Sequence, residues 1–163
     1  MTHFEDLSAY TYTEVDDIHL GEAWPEFRPR YERVNVGWLD APHAFEVGPT
    51  PDWFAAALLD ILAGPDINRM RGYHCCSFCR GDYASSMLSV DHPTGKIVLG
   101  HSEFRVPAKP GVMFAGPSLI WHYVTSHGYR PPAAFIEAVR TYDPGWLTLP
   151  SPWIPDDPEN DRR

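Results

Sequence analysis

Long apolar runs are missing from this chain. No stretch of its 163 residues approaches the about 20 consecutive apolar residues that a membrane-spanning helix needs. A secretory leader is not expected either. Met1-Thr2-His3-Phe4-Glu5-Asp6 has neither a basic start nor an apolar run, which makes the cytoplasm the expected location. Positive charge is scarce: 13 Lys and Arg stand against 22 Asp and Glu, a formal net charge of -9. The basic residues are scattered, and only Arg162-Arg163 forms a terminal pair. Tracking a phosphate backbone requires clustered Lys and Arg, so a nucleic-acid partner is excluded. Cysteine is scarce as well. All 3 cysteines fall between Cys75 and Cys79. An odd count with tiny loops makes a poor disulfide framework, whereas clustered thiols in a reducing compartment serve as metal ligands or redox groups. The common catalytic signatures are absent too: Gly-x-Ser-x-Gly, a P-loop, a dinucleotide fingerprint and His-Glu-x-x-His. The zinc-deaminase pattern also fails, because Cys76 stands where its glutamate would be.

What is present suits one domain over residues 1–163. A chain of this length buries about 70% of its unfolded surface. With 44% apolar and 13% aromatic residues, it can fill a core without staples. Residues 14–33 read as a loop-rich insertion, since Pro25 and Pro29 forbid a helix across them. Val34–Leu39 alternates like a short strand. Thr50 is a candidate N-cap and Pro51 a first helical residue. They open a helix over Pro51–Ala63 that buries Phe54, Leu58, Ile61 and Leu62 and stops at Gly64-Pro65. Met87–Val90 and Lys96–Leu99 read as a hairpin around Asp91–Gly95, and Glu103–Val106 and Val112–Ala115 as a second around Lys109-Pro110-Gly111. Two further helices are predicted, Leu119–His127 closed by Gly128 and Pro132–Tyr142. Residues 143–163 form a Pro-rich tail, expected to be mobile at its end. The expected class is α+β, a small antiparallel sheet with about three helices and a zinc-knuckle-like loop.

The chemistry gathers in Gly72-Tyr73-His74-Cys75-Cys76-Ser77-Phe78-Cys79. Cys76-x-x-Cys79 has the spacing of a zinc knuckle, in which two thiolates on a tight turn reach one ion. In an extended segment His74 points the same way as Cys76, giving three borderline-soft ligands in one loop, with Cys75 the odd thiol. Zinc is the natural occupant, because it accepts mixed nitrogen and sulfur ligands in a tetrahedron. The competing readings are small buried thiols and a dithiol redox pair.

A fourth ligand must come from elsewhere. His3, His19, His43, His92 and His101 lie in loops or turns and read as solvated. The second helix offers His122 and His127. His127 has an ordinary role at a helix C-terminus, so His122 is the expected ligand and His127 the alternative. Glu103 and Arg105 share one strand face. An exposed ion pair is the plainer reading. The sharper one makes Glu103 the general base for a zinc-bound water.

Together these blocks resemble a family of short bacterial proteins, frequent in actinomycetes, whose domain has no known function. The resemblance runs through Phe4-x-Asp6-Leu7-x-x-Tyr10-x-Tyr12, Asn35-Val36-Gly37-Trp38-Leu39 and Gly72-x-His74-x-Cys76-x-x-Cys79. It continues in Glu103-x-Arg105-Val106, in His122-Tyr123-Val124 with His127-x-Tyr129-x-Pro131-Pro132, and in Phe135-Ile136-Glu137-Ala138-Val139. It implies that His74, Cys76, Cys79, Glu103, Arg105, His122 and His127 belong to a shared pattern and that Cys75 does not. It carries over no activity. Two functions compete on the residues. One is a zinc-binding protein with a structural site on His74, Cys76, Cys79 and His122, acting on a protein partner as a regulator or immunity-type factor. The other is a zinc enzyme acting on a small molecule, with an open metal position and Glu103 as base.

Overall fold

The computed structural model describes residues 3–12, 30–70, 72–80, 87–148 and 150–155. Most of the 14–33 insertion and the end of the tail lie outside these residues. Among the described residues, five strands and three α-helices follow in the order β1 (Glu32–Asn35), α1 (Phe54–Leu62), β2 (Ser89–His92), β3 (Gly95–Val98), β4 (Glu103–Lys109), β5 (Val112–Pro117), α2 (Ile120–His127) and α3 (Ala133–Arg140). A 3-10 turn at Pro144–Leu147 follows α3. The class is α+β, as the pattern of helices and hairpins predicts.

Both hairpins form. β2 and β3 pair antiparallel across Pro93-Thr94. β4 and β5 pair antiparallel, with a register shift between Pro107 and Lys109. The main sheet is mixed rather than purely antiparallel, because β1 joins β5 in parallel. The strand expected over Val34–Leu39 instead ends at Asn35. Gly37, with φ +71°, breaks the extended run, and a side chain there would meet Ile120 Cδ1 at 2.6 Å. α1 begins at Phe54 without a side-chain cap. Thr50 and Pro51 lie before it, where the Pro51 carbonyl accepts from Phe54 N–H.

Strand alternation divides the sheet into two faces. On one, Phe104, Val106 and Phe114 join Phe54, Leu58, Tyr123, Tyr129 and Phe135 in the main core. Phe135 of α3 is its hub, with ring centroids 6.1 Å from Phe54, 5.6 Å from Phe104 and 5.4 Å from Phe114. The other face carries Glu103, Arg105 and Ala115. There Tyr10 and Trp38 form a second apolar cluster with Ala115, flanked by Phe4 and Tyr12. The N-terminal segment reaches this face by pairing with β1, through Leu7 N–H to the Asn35 carbonyl and Tyr10 N–H to that of Arg33.

At the opposite edge the chain before the cysteines runs beside the start of β4. Glu103 and Ile67 exchange backbone bonds, Met70 N–H donates to the His101 carbonyl, and His74 N–H donates to that of Gly100 at 2.7 Å. Gly100 has φ +89°, and any side chain there would fall on the His74 carbonyl oxygen. This close approach fixes where the cysteine loop enters the core. In the tail Trp146 is buried, and Trp153 donates its indole N–H to Asp143.

Candidate metal centre

The cysteine loop turns at Ser77-Phe78 and packs against α2. Cys76 lies in the main core, 1% exposed. Phe78 wedges the loop in place, its ring 5.8 Å from that of Tyr123 and 5.5 Å from that of His127. Packing of Tyr123 into the core sets the rotation of α2, and Gly128, left-handed at φ 66°, closes the helix directly after His127.

Four side chains converge here. The ligand atoms of Cys76, Cys79, His122 and His127 all lie within 4.8 Å of one another. Cys76 Sγ is 3.2 Å from His127 Nε2. Cys79 Sγ is 3.3 Å from His122 Nε2 and 3.6 Å from His127 Nε2. The two Nε2 atoms are 3.1 Å apart. A tetrahedral ion with Zn–S of about 2.3 Å and Zn–N of about 2.0 Å places its S···N edges at about 3.5 Å and its N···N edge at about 3.3 Å. The observed edges match within a few tenths of an ångström. Four atoms that ligate through lone pairs face one point, an arrangement that a cation at the centre stabilises.

The electrostatics are consistent with this. Burial holds the His122 imidazole below the ordinary histidine range, and the neighbouring His127 adds to the effect; burial alone lowers His127. Both therefore favour the neutral form that ligates a metal. Burial pushes the Cys76 thiol up, while the backbone N–H groups of Phe78 and Cys79 bond its sulfur and pull it down. Two thiolates, two neutral imidazoles and a divalent ion sum to zero charge, which suits a half-buried position.

The structure thus brings together Cys76, Cys79 and both helix histidines. His122, the expected ligand, and His127, the alternative, both belong to the group. Five positions separate them by about 140° around a helix, yet their Nε2 atoms meet at 3.1 Å, with Cys79 Sγ within 3.6 Å of both. His74, expected as a ligand, is not in the group. Its backbone is tied to Gly100, and its side chain lines a cleft shared with Glu103. Residues 73–76 form no regular strand, so the i, i+2 alignment of His74 with Cys76 does not apply. Cys75 stands apart, as expected.

Glu103 is not in the group either, and the plainer expectation for it also fails. Glu103 is 5% exposed and Arg105 1%, a buried pair rather than a solvated one. Arg105 donates to Glu103 Oε2 at 2.8 Å, Asn68 to Oε1 at 2.6 Å, and the Tyr10 hydroxyl lies 2.9 and 3.0 Å from the two oxygens. Burial raises the Glu103 pKa and these partners oppose it, Arg105 foremost. The network lies on the sheet face away from the main core that holds Cys76. Tyr10 and Asn68 were missed in the sequence because they lie 93 and 35 residues from Glu103, and no local spacing connects them. Of the remaining histidines, His3 stacks on His43 with centroids 3.9 Å apart, and His92 bonds Asp60 and Thr94. His101, read as solvated, is buried beside Asp66. His19 lies outside the described residues.

An α+β domain that pairs a Cys-x-x-Cys turn with two histidines of one helix defines a candidate metal-binding protein. The chain belongs to the family described as a domain of unknown function (DUF7919), whose model matches residues 2–140. That span includes all four converging residues. No curated protein and no solved structure matches the chain. Among the described residues, no helix is long and apolar enough to cross a membrane.

Proposed function

We propose that this protein binds one zinc ion through Cys76, Cys79, His122 and His127 in a structural site, and that it acts in the cytoplasm on a protein partner, as a regulatory or immunity-type factor. The observation that carries the metal reading is the set of four ligand atoms within 4.8 Å of one another. Their mixed sulfur and nitrogen character favours zinc over magnesium or calcium, which prefer oxygen. Four protein ligands complete a tetrahedron and leave no position for a reactive water, so the centre reads as structural. The partner reading draws on the absence of a recognised catalytic motif. The alternative, an enzyme with Glu103 as base, gains nothing from the geometry, since three donors hold that carboxylate away from the group.

The test is elemental analysis with native mass spectrometry on protein purified without added metal. About one zinc per chain is expected, lost in Cys76→Ala and in His127→Ala. A chain without transition metal, or one that keeps its zinc in both variants, would overturn the reading.

A further inference from the structure

The four converging side chains divide by element and by chemistry along the same line. Both ligands on the loop side are sulfurs, because His74 stands outside the group, and both on the helix side are imidazoles of α2. A mild oxidant changes cysteine and leaves imidazole as it is. The thiolate is the form that holds a metal and also the form that a peroxide attacks. A disulfide sulfur carries no negative charge and is a poor ligand in its place. Oxidation of the sulfur pair therefore removes every ligand that the loop contributes, and two imidazoles of one helix cannot tie that helix to anything.

The geometry suits such a step. Cys76 and Cys79 flank the Ser77-Phe78 turn with their Sγ atoms within 4.8 Å of each other, and two intervening residues is a spacing at which disulfides close. Solvent reaches the two sulfurs unequally: Cys79 is half-buried, whereas Cys76 is 1% exposed. The accessible sulfur meets the oxidant, and the buried one is within reach to resolve it. Cys75 is half-buried and outside the converging group.

We propose that the metal centre is a redox switch, in which a peroxide joins Cys76 to Cys79, the zinc leaves, and the cysteine loop is uncoupled from α2. This rests on the zinc reading. The Cys79 sulfur attacks one oxygen of hydrogen peroxide; an S–O bond forms, the O–O bond breaks, and the departing hydroxide takes a proton to become water. The Cys76 sulfur then attacks the Cys79 sulfur; the S–S bond forms, the S–O bond breaks, and a second hydroxide is protonated to water. Two thiolates, one hydrogen peroxide and two protons thus give one disulfide and two waters. Zinc has no redox chemistry of its own and departs as the divalent ion. A dithiol reductant reverses the oxidation by exchange, after which the ion rebinds.

The experiment uses the full chain, purified under reducing conditions, freed of reductant and analysed for zinc. Hydrogen peroxide is then added beside a chromogenic zinc chelator, and blocked, digested samples are read by mass spectrometry. About one zinc ion is expected to be released per disulfide formed, with the disulfide linking Cys76 to Cys79, and dithiothreitol with added zinc is expected to restore the starting content. Cys75→Ser is expected to release zinc at the wild-type rate. A zinc-loaded chain that keeps its ion under peroxide, releases it only as sulfinic or sulfonic acids accumulate, or needs Cys75 for release would overturn the switch and leave the metal reading standing. A chain without zinc before oxidation would overturn both.

Discussion

Chelation is the most informative perturbation of this fold. An ion bound by Cys76, Cys79, His122 and His127 cross-links the cysteine turn to α2. Between Cys79 and His122 the closed loop spans 43 residues. By the chain-entropy relation used for disulfides, such a link removes about 4 kcal/mol of freedom from the unfolded chain at 25 °C. Domain stabilities run from about 5 to 15 kcal/mol, so this is a large share. For a chain of this size each kcal/mol moves the midpoint by about 2–4 °C, and the expected fall on complete metal removal is on the order of 10 °C. The assay is thermal unfolding by circular dichroism before and after EDTA treatment, with zinc release quantified in the same sample. Cys76→Ala/Cys79→Ala serves as the control and should melt at one temperature with or without EDTA. If zinc leaves the wild-type protein and the midpoint does not move, the cross-link argument is wrong. If the double variant responds to EDTA as the wild type does, the stabilising ion lies elsewhere.

Three further outcomes are expected. His127→Ala should reduce zinc to a trace while His74→Ala retains about one ion per chain, read by elemental analysis; the reverse would restore the three-ligand loop. Gly100→Ala should destabilise by about 2 kcal/mol or more in urea unfolding, because the new methyl meets the His74 backbone at a position of positive φ. The apoprotein should lose stability on acidification. His122 and His127 have lowered pKa values when folded, so the unfolded chain binds more protons than the folded one. The stability they contribute is therefore present above the unfolded histidine value of about 6.5 and lost as pH falls through the folded values. Urea midpoints of apoprotein at descending pH read this slope, and His122→Phe/His127→Phe should flatten it.

Local pattern made much of the molecule legible. The stripe Phe54, Leu58, Ile61, Leu62 defined α1, and all four residues are buried. The glycine at 128 ended α2 as its chemistry requires. The turn formers between β2 and β3 and between β4 and β5 marked both hairpins. Long-range placement was not legible. Nothing near Glu32–Asn35 announces a parallel partner at Val112–Ala115. The burial of Arg105 depends on the N-terminal segment folding over the sheet, and Glu103 and Arg105 read as solvated because strand alternation shows which residues share a face but not what covers it. At the metal centre, residue types and the Cys-x-x-Cys spacing pointed to the cluster. The expectation for His74 assumes a regular extended segment, which residues 73–76 do not form, and His74 falls outside the converging group. The preference for His122 rests on the ordinary role open to a histidine at a helix C-terminus, whereas the structure brings both His122 and His127 to the cysteine pair.

The four converging residues come as two pairs that are each close in sequence, Cys76 with Cys79 and His122 with His127, separated by both hairpins. During synthesis the thiol pair leaves the ribosome well before the imidazole pair, so a nascent chain can hold an ion by two sulfurs but cannot enclose it. Enclosure waits until β4 and β5 have paired and α2 has emerged. Tight zinc retention by ribosome-bound chains of increasing length would therefore act as a clock for completion of the main sheet.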